Sequence, residues 1–279
     1  MKTTRIEDFR RSLLETGSYE TAPECRRASR ARPGALTTLR FSLGVSRVFP
    51  WCALLQPLGL LSIDKWARLC FSGVTTPEKL GMNVKIEGFG NMAARKGPAV
   101  VLCNHMSTIE TIMLPPVLLC YGPLSYVAKA SLAHLPFLEK AAARTGMVPI
   151  GRKSPREDLM NMFKIGTERI GAGHNFLIFP QGTRQRVFAR KGFSSIGAKL
   201  AEKAGCEIVP VVVDTRCQPT RTEGALKKTF KDFGPVDTSI DVRCCCGPVV
   251  PAGKARDMHD AAFDWMASKL EEWNMPVER

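Results

Sequence analysis

An apolar run stops abruptly at a turn of proline and glycine in the stretch Ile178-Phe179-Pro180-Gln181-Gly182-Thr183-Arg184. The run begins at Phe176, and a short apolar run bounded by turn residues is typical of a buried strand. A glycine turn frees backbone N–H groups, and the Arg184 guanidinium offers a fork of donors, so the loop suits phosphate better than a neutral group. The stretch predicts a buried strand that ends in an anion-binding loop.

Further short apolar runs follow Gly73, and helical patterns alternate with them. This alternation predicts the α/β fold class. Ser154-Pro155-Arg156-Glu157 has the pattern of a capping box with proline at the first helical position. The predicted strands are Val84 to Glu87, Ala99 to Cys103, Ser125 to Ala128, Phe176 to Phe179, Glu207 to Val213 and Ile240 to Cys246. The predicted helices are 154–171, 195–204 and 256–273.

The chain of 279 residues carries a formal net charge of +14. This charge favours a negatively charged partner, which is nucleic acid, an anionic membrane surface or an acidic substrate. The sequence has no zinc-finger spacing, no aromatic RNA-binding signature and no basic helix leading into heptads, so we expect no nucleic-acid partner. The cysteines form no Cys-x-x-Cys pair and His134, His174 and His259 stand singly, so no metal site is predicted.

The first 72 residues differ in composition from the rest. Residues 1–36 hold a cluster of arginines and prolines, which predicts a basic, poorly ordered arm, either solvated or attracted to anionic lipid. Residues 37–72 contain an uncharged run, Val48 to Ile63. A bilayer-spanning helix needs about 20 apolar residues, and Pro50 and Pro57 would break a straight one. We expect a hydrophobic helical element that dips into a membrane or lies at its interface rather than spanning it; the other alternative is a buried helix of a soluble core.

His105 follows directly on a predicted strand, and Glu110 comes five residues later. In a regular helix that spacing leaves the side chains on different faces, so they meet only if His105 precedes the helix. Glu110 then either ties down the helix start in the capping box Ser107-Thr108-Ile109-Glu110 or fixes the tautomer of His105. No Gly-x-Ser-x-Gly elbow is present, so the pair favours activation of a substrate hydroxyl for attack on a bound acyl group.

Four blocks, in order, resemble those of the glycerolipid (lysophospholipid) acyltransferase family. They are Asn104-His105 to Glu110, Gly146 to Arg152, Phe179-Pro180-Gln181-Gly182-Thr183-Arg184 and Val209-Pro210-Val211-Val212. The segment from Lys129 to Pro136 also resembles the family, and the resemblance covers Val84 to Val250. Ordered blocks over such a span are a stronger signal than any single motif.

The resemblance implies a central mixed sheet flanked by helices, an N-terminal hydrophobic helical membrane element and a catalytic domain over residues 73–279. It implies transfer of an acyl group from acyl-CoA or acyl carrier protein to the free hydroxyl of 1-acyl-glycerol-3-phosphate, giving phosphatidic acid. We expect this at an anionic membrane surface on the cytoplasmic face, with no cofactor beyond the acyl donor.

The resemblance also implies residue roles. His105 would be the general base and Glu110 its partner. The residues implied to bind phosphate or glycerol are Lys129, Arg152, Gln181, Gly182, Thr183 and Arg184, and those implied for the acyl pocket are Val209, Pro210 and Val211. The chain departs from the family where Glu110 replaces aspartate and Gln181 replaces glutamate. The second change leaves open another lysophospholipid or a lyso-aminolipid as acceptor, and a non-catalytic membrane-adsorbed lipid-binding protein is the other alternative.

Overall fold

The computed structural model describes residues 2–129, 141–142, 144–150, 155–218 and 234–279. The α-helices named in this part of the chain are α1 (Ile6–Thr16), α2 (Ala35–Ser46), α3 (Val48–Leu55), α4 (Ile63–Cys70), α5 (Ser72–Lys79), α6 (Gly90–Ala94), α7 (Ile109–Leu118), α8 (Pro155–Gly171), α9 (Ile196–Ala204) and α10 (Ala255–Glu272). The strands are β1 (Tyr19–Glu20), β2 (Val84–Glu87), β3 (Val100–Cys103), β4 (Leu124–Lys129), β5 (Met147–Ile150), β6 (Asn175–Ile178), β7 (Phe188–Ala189), β8 (Ile208–Asp214), β9 (Val242–Cys246) and β10 (Val277–Glu278).

Eight strands form one mixed sheet in the order β1-β2-β9-β8-β3-β6-β4-β5. The central strand β3 runs parallel to both of its neighbours, β8 and β6. On one side β4 and β5 continue the parallel part, whereas on the other side β9 runs antiparallel to β8. Because carboxyl ends of parallel strands meet at one edge of a sheet, the residues that follow β3, β6 and β8 are brought together.

Helices cover both faces of this sheet. Val101 of β3 lies in one buried cluster with Phe9 of α1 and Met113 of α7. Its neighbour Leu102 lies in the opposite cluster with Phe263 of α10. Successive side chains of a strand point to opposite faces, so a strand that is apolar throughout is covered on both sides. The predicted α/β fold with a central mixed sheet flanked by helices is confirmed.

The six predicted strands are all present, with ends that agree with the prediction or shift by one or two residues. The three predicted helices appear as α8, α9 and α10, with ends shifted by at most one residue. The strand β5 was not predicted, because Pro149 interrupts its apolar pattern. It lies at the edge of the sheet, where a missing N–H is tolerated.

The prediction that residues 1–36 are poorly ordered is wrong for much of this segment. Helix α1 buries Phe9 and Leu13 completely, and β1 pairs antiparallel with β2 at the edge of the sheet. Ile6, Phe9 and Leu13 recur at the spacing of an amphipathic helix. The basic residues that follow outweighed this periodic signal in the sequence interpretation.

Residues 37–72 fold into α2, α3 and α4, and the chain turns between α3 and α4, where Pro57 lies. Among the residues with described positions, no helix combines the length and the apolar character needed to cross a membrane. Phe41 and Val45 are fully buried in the core. The large apolar side chains that are exposed in and beside this segment are Leu36, Leu39, Leu43, Phe49, Trp51, Leu54, Leu58, Leu60 and Ile63.

Candidate active site

The candidate site lies at the edge of the sheet where β3, β6 and β8 end. Asn104, directly after β3, ties this strand end to β8. Its Nδ2 donates to the carbonyl oxygen of Val213 at 2.9 Å, and its Oδ1 accepts the Val213 N–H at 2.7 Å. The side-chain contact extends the pairing of the two strands and holds the following residue, His105, beside the end of β8.

His105 lies in the turn ahead of α7 and Glu110 in the first turn of that helix, which is the arrangement that the spacing required. Nδ1 of His105 is 2.9 Å from Oε1 of Glu110. The Glu110 side chain is fully buried, whereas 16% of the His105 side chain is exposed. The imidazole therefore reaches the surface while its carboxylate partner does not.

The Glu110 carboxylate accepts hydrogen bonds at both oxygens. Oε1 accepts from His105 Nδ1 and from the N–H groups of Met106 and Ser107, both at 2.6 Å. Oε2 accepts from the hydroxyl of Ser107 at 2.6 Å and from that of Thr215 at 2.8 Å. The Ser107 N–H contact is the one predicted for a capping box. Glu110 therefore makes both of the predicted contacts, one with the helix start and one with His105.

The electrostatics of this arrangement favour an ionised Glu110. Burial is the largest effect and raises its pKa, but the hydrogen bond and charge of His105 and the contacts from Ser107 outweigh burial, and the pKa lies below its usual value. An ionised carboxylate only accepts hydrogen bonds, so the shared proton belongs to Nδ1 of His105.

When the ring is neutral, a proton on Nδ1 leaves Nε2 of His105 as the unprotonated ring nitrogen. Within the described residues, no group hydrogen-bonds to Nε2. The ring stacks on Phe179 with centroids 4.5 Å apart, which fixes the plane of the imidazole. The geometry is that of a neutral histidine able to take a proton at Nε2, with Glu110 placed to stabilise the imidazolium that results.

The loop after β6 holds the backbone of His105 from both sides. Oε1 of Gln181 accepts the His105 N–H at 2.7 Å, and the N–H of Gln185 donates to the His105 carbonyl oxygen at 2.9 Å. The amide nitrogen of Gln181 also donates to the carbonyl of Val187 at 3.4 Å. A glutamate could accept the first bond but could not donate the second, so the amide suits both contacts.

The same loop carries the predicted anion-binding residues. Gly182 has φ +64°, a left-handed backbone conformation that favours glycine, and both Gly182 and Thr183 are exposed. Nη1 of Arg184 donates to Oγ1 of Thr108 at 2.9 Å, which places the guanidinium at the N-terminus of α7. A helix N-terminus favours negative charge, so the cation, the glycine turn and the helix start form an anion-compatible surface on the loop that contacts the His105 backbone.

The other predicted site residues lie within the strands β4 and β8 or outside the described residues. Lys129 ends β4, which pairs with β6 and β5 farther along the sheet. Arg152 and residues 130–140 lie outside the described residues. Val209, Pro210 and Val211 are buried within β8, where they pair with β3. Their contact with an acyl chain stays a prediction. In the described part of the chain, no group of three or more His, Cys, Asp or Glu residues is placed to hold a metal ion.

Thr215 is a residue of the site that the sequence analysis missed. It follows β8 by one position and touches Glu110 from the side opposite His105. No local motif marks it, and the only signal in the sequence is its position after a buried strand. That position acquires meaning when β8 is known to pair with β3, because the two strand ends then share one edge.

Comparison with known proteins identifies this part of the chain. Residues 83–214 match the family model described as Acyltransferase. The matched residues include β2, β3, β6 and β8, together with the His105–Glu110 pair and the loop after β6. This part of the chain is thus similar to the acyltransferase family, and the resemblance to glycerolipid acyltransferases is confirmed.

Three individual proteins illustrate the similarity. The 1-acyl-sn-glycerol-3-phosphate acyltransferase of Pseudomonas aeruginosa is 34% identical over 149 residues, which is 53% of this chain and 55% of the relative. The enzyme of the same name from Saccharomyces cerevisiae is 33% identical over 48% of this chain and 44% of the relative. The chain spans about half the length of these curated relatives.

The third is a solved structure, that of the 1-acyl-sn-glycerophosphate (LPA) acyltransferase PlsC from Thermotoga maritima. It superposes with a TM-score of 0.60 over 86% of this chain and 95% of that chain, at 18% sequence identity. At that identity, the similarity establishes a shared fold.

Proposed function

We propose that the protein transfers an acyl group from a thioester, either acyl-CoA or acyl carrier protein, to the free hydroxyl of 1-acyl-glycerol-3-phosphate, giving phosphatidic acid. The observation that carries the proposal is the buried Glu110 bonded to Nδ1 of a surface-reaching His105. The names of the similar proteins support the choice of 1-acyl-glycerol-3-phosphate as acceptor.

The geometry supports a direct transfer. Nε2 of His105 takes the proton of the acceptor hydroxyl as its oxygen attacks the thioester carbonyl carbon. The tetrahedral intermediate then breaks its carbon–sulfur bond, and the departing thiolate takes the proton back from the imidazolium. Glu110 keeps its charge throughout and stabilises the imidazolium. No covalent acyl-enzyme is needed.

The acceptor phosphate is proposed to bind at the loop after β6. Arg184 supplies the charge, and Gly182 and Thr183 are the exposed residues beside it. Charge-assisted hydrogen bonds contribute about 1.5 to 3 kcal/mol each, enough to anchor a small headgroup against water. Lys129 and Arg152 remain proposed contributors to this site. Gln181 is buried and bonded to the His105 backbone, so we propose a supporting role for it in place of phosphate contact.

The N-terminal helices are proposed to rest on an anionic membrane at its cytoplasmic face. Trp51, Leu54, Leu58 and Leu60 are each about half or more exposed, at 48%, 54%, 62% and 53%. These exposed apolar side chains lie within ten residues of one another in the chain, and a group of this kind indicates an interaction surface. The net charge of +14 matches an anionic surface, and a lipid substrate would be supplied there.

The test is acceptor-dependent thiol release by purified protein in mixed micelles with acyl-CoA and 1-acyl-glycerol-3-phosphate. His105→Ala should lower the rate about 100-fold or more, the range expected for loss of a positioned general base. His174→Ala is the matched control, because His174 precedes β6 at the opposite edge of the sheet and bonds to Ser125. Equal rates for wild type and His105→Ala would contradict the mechanism.

The assay also separates the alternatives. Release with acyl-loaded acyl carrier protein but not with acyl-CoA would identify the donor. Release only with a different lysophospholipid or with a lyso-aminolipid would identify a different acceptor. Absence of release across all donors and acceptors would leave the non-catalytic lipid-binding protein. Gln181 motivated the alternative acceptors, but its amide faces the His105 backbone, so no structural observation favours them.

A further inference from the structure

We propose that Thr215 is a positioning residue of the site. Its hydroxyl donates to Oε2 of Glu110 and thereby keeps Oε1 of the same carboxylate hydrogen-bonded to Nδ1 of His105. Thr215 touches Glu110 and not the reacting atoms, so its effect on chemistry is indirect. The catalytic consequence rests on the proposed function, whereas the effect on the His105 ring does not.

The hydrogen bonds around Oε2 of Glu110 show that Thr215 donates to this oxygen, whereas Ser107 has two acceptors within reach. Thr215 is fully buried, and its Oγ1 donates to Oε2 at 2.8 Å. The Ser107 hydroxyl lies within donating distance of both Oε2, at 2.6 Å, and Thr215 Oγ1, at 2.9 Å. Each hydroxyl has a single proton. The Thr215 hydroxyl accepts from Ser107 and donates to Oε2, so its proton points to Glu110.

The position of Thr215 is itself held by the residue before it. Asp214, at the end of β8, is buried and forms ion pairs with Arg216 at 2.9 Å and Arg243 at 2.7 Å. Arg216 contacts both carboxylate oxygens of Asp214. Arg243 also stacks on Trp273, 4.6 Å from the ring centroid. This cluster anchors the strand end from which the Thr215 hydroxyl reaches Glu110.

The length of the glutamate side chain explains why a second anchor is needed. The terminal torsion of a glutamate has a broad energy minimum, so a carboxylate held at one oxygen can rotate about it. Oε1 is held by the turn that contains His105, and Oε2 by hydroxyls of Ser107 and Thr215. Because Thr215 adds a contact to Oε2 from the end of β8, while the turn after β3 holds Oε1, the plane of the carboxylate is set and Oε1 remains directed at Nδ1.

The first readout is the tautomer of neutral His105, measured by ¹⁵N chemical shifts of its ring and assigned by the signal that is lost in His105→Gln. Wild type should hold the Nδ1–H form. Thr215→Val removes the hydroxyl at nearly constant volume and should shift the ring toward the Nε2–H form. Thr215→Ser retains the hydroxyl and should restore the wild-type form, and Thr215→Ala replaces the valine variant if that variant does not fold.

The second readout is acceptor-dependent thiol release. Thr215→Val should lower kcat about tenfold with little change in KM, the size expected for one lost hydrogen bond to a charged group. Thr238→Val is the control, because Thr238 is 1% exposed and its hydroxyl bonds to the Ala31 carbonyl, away from the site.

A shifted tautomer in Thr215→Val, restored by Thr215→Ser and absent in Thr238→Val, supports the proposal. That result stands even if wild type releases no thiol, in which case only the proposed function fails. An unchanged tautomer in Thr215→Val overturns the proposal, and an active wild type in the same experiment leaves the proposed function intact.

Discussion

The strand edge that carries His105 and the N-terminal helical region both bury a glutamate, and they shift its pKa in opposite directions. Glu110 at the strand edge is fully buried, and its pKa is lowered because N–H groups, hydroxyls and the His105 ring overcome burial. Glu78 in α5 is 1% exposed, and burial raises its pKa despite hydroxyl contacts from Thr4, Tyr19 and Thr21.

The difference shows which neighbouring groups keep a buried carboxylate ionised. The hydroxyl donors and the charge of Lys79 do not compensate for the loss of water at Glu78, whereas the His105 ring, together with hydroxyl and backbone N–H donors, does so at Glu110. The N-terminal region also exposes apolar side chains that the core does not cover. The first region therefore holds an ionised carboxylate beside His105, and the second carries the surface that we propose for membrane attachment.

The largest expected effect separates the two carboxylates by activity. Glu110→Gln should lower kcat for acyl transfer about 100-fold or more, because the amide loses the charge that stabilises the imidazolium and directs a donor at neighbouring N–H groups. Glu78→Gln is the matched change and should leave kcat close to wild type. Steady-state thiol release measures both, and similar losses in the two variants would break the comparison.

The next effect concerns the loop after β6. Arg184→Ala should lower kcat/KM for the phosphorylated acceptor about 10- to 100-fold, mainly through KM, because a charge-assisted hydrogen bond contributes about 1.5 to 3 kcal/mol. Arg68→Ala in the N-terminal region is the control, since Arg68 only pairs with Glu7 and Asp64 at the surface. An equal loss with a phosphate-free acceptor would contradict a phosphate-binding role for Arg184.

A smaller effect sharpens the assignment of attachment to the N-terminal region. The double variant Trp51→Ser and Leu58→Ser should bind anionic vesicles more weakly by about tenfold or more, because burying even one large apolar side chain contributes about 1.5 to 3 kcal/mol. Met160→Ser in α8 is the control, with a large apolar side chain that is 59% exposed. Cosedimentation measures the partition, and equal binding by wild type and the double variant would remove the membrane assignment.

The smallest effect is the pH dependence of stability at Glu78. Its folded pKa lies above the ordinary value of 4.5, so the folded state binds this proton more tightly than the unfolded state. That stabilisation is complete below pH 4.5 and is lost as pH rises through the folded pKa. Glu78→Gln should lack this loss, so the difference in free energy of unfolding from wild type should change with pH. Urea unfolding from pH 4 to 8 measures this difference. If the free energies of unfolding of wild type and Glu78→Gln change in parallel with pH, the pKa of Glu78 is not raised.

Much of the fold could be predicted because its strands are short apolar runs between turns. β3, β6 and β8 follow this pattern, and their ends shift by no more than one residue from the prediction. Helix α1 was missed because three apolar residues, Ile6, Phe9 and Leu13, carry its periodicity beside a strongly basic segment. β5 was missed because Pro149 masks an edge strand.

The candidate site divides in the same way. The contact of His105 with Glu110 could be predicted because both lie in one short stretch, where spacing limits the geometry to a turn followed by a helix. The contact of Thr215 with Glu110 joins residues far apart in the chain, and so does that of Gln181 with the His105 backbone. Such contacts depend on which strands become neighbours, and that order is absent from local patterns.

The sequence by itself determined the fold class, the positions of the main strands, the acyltransferase resemblance and the condition that His105 must precede the helix if it is to meet Glu110. Each of these depends on short-range periodicity, turn chemistry or the spacing of residues within one block. Only the tertiary structure decided that Glu110 is held at both oxygens, that Gln181 faces the His105 backbone and that α1 belongs to the core. These features depend on strand order and on the balance of burial against hydrogen bonding, which arise only when distant segments pack together.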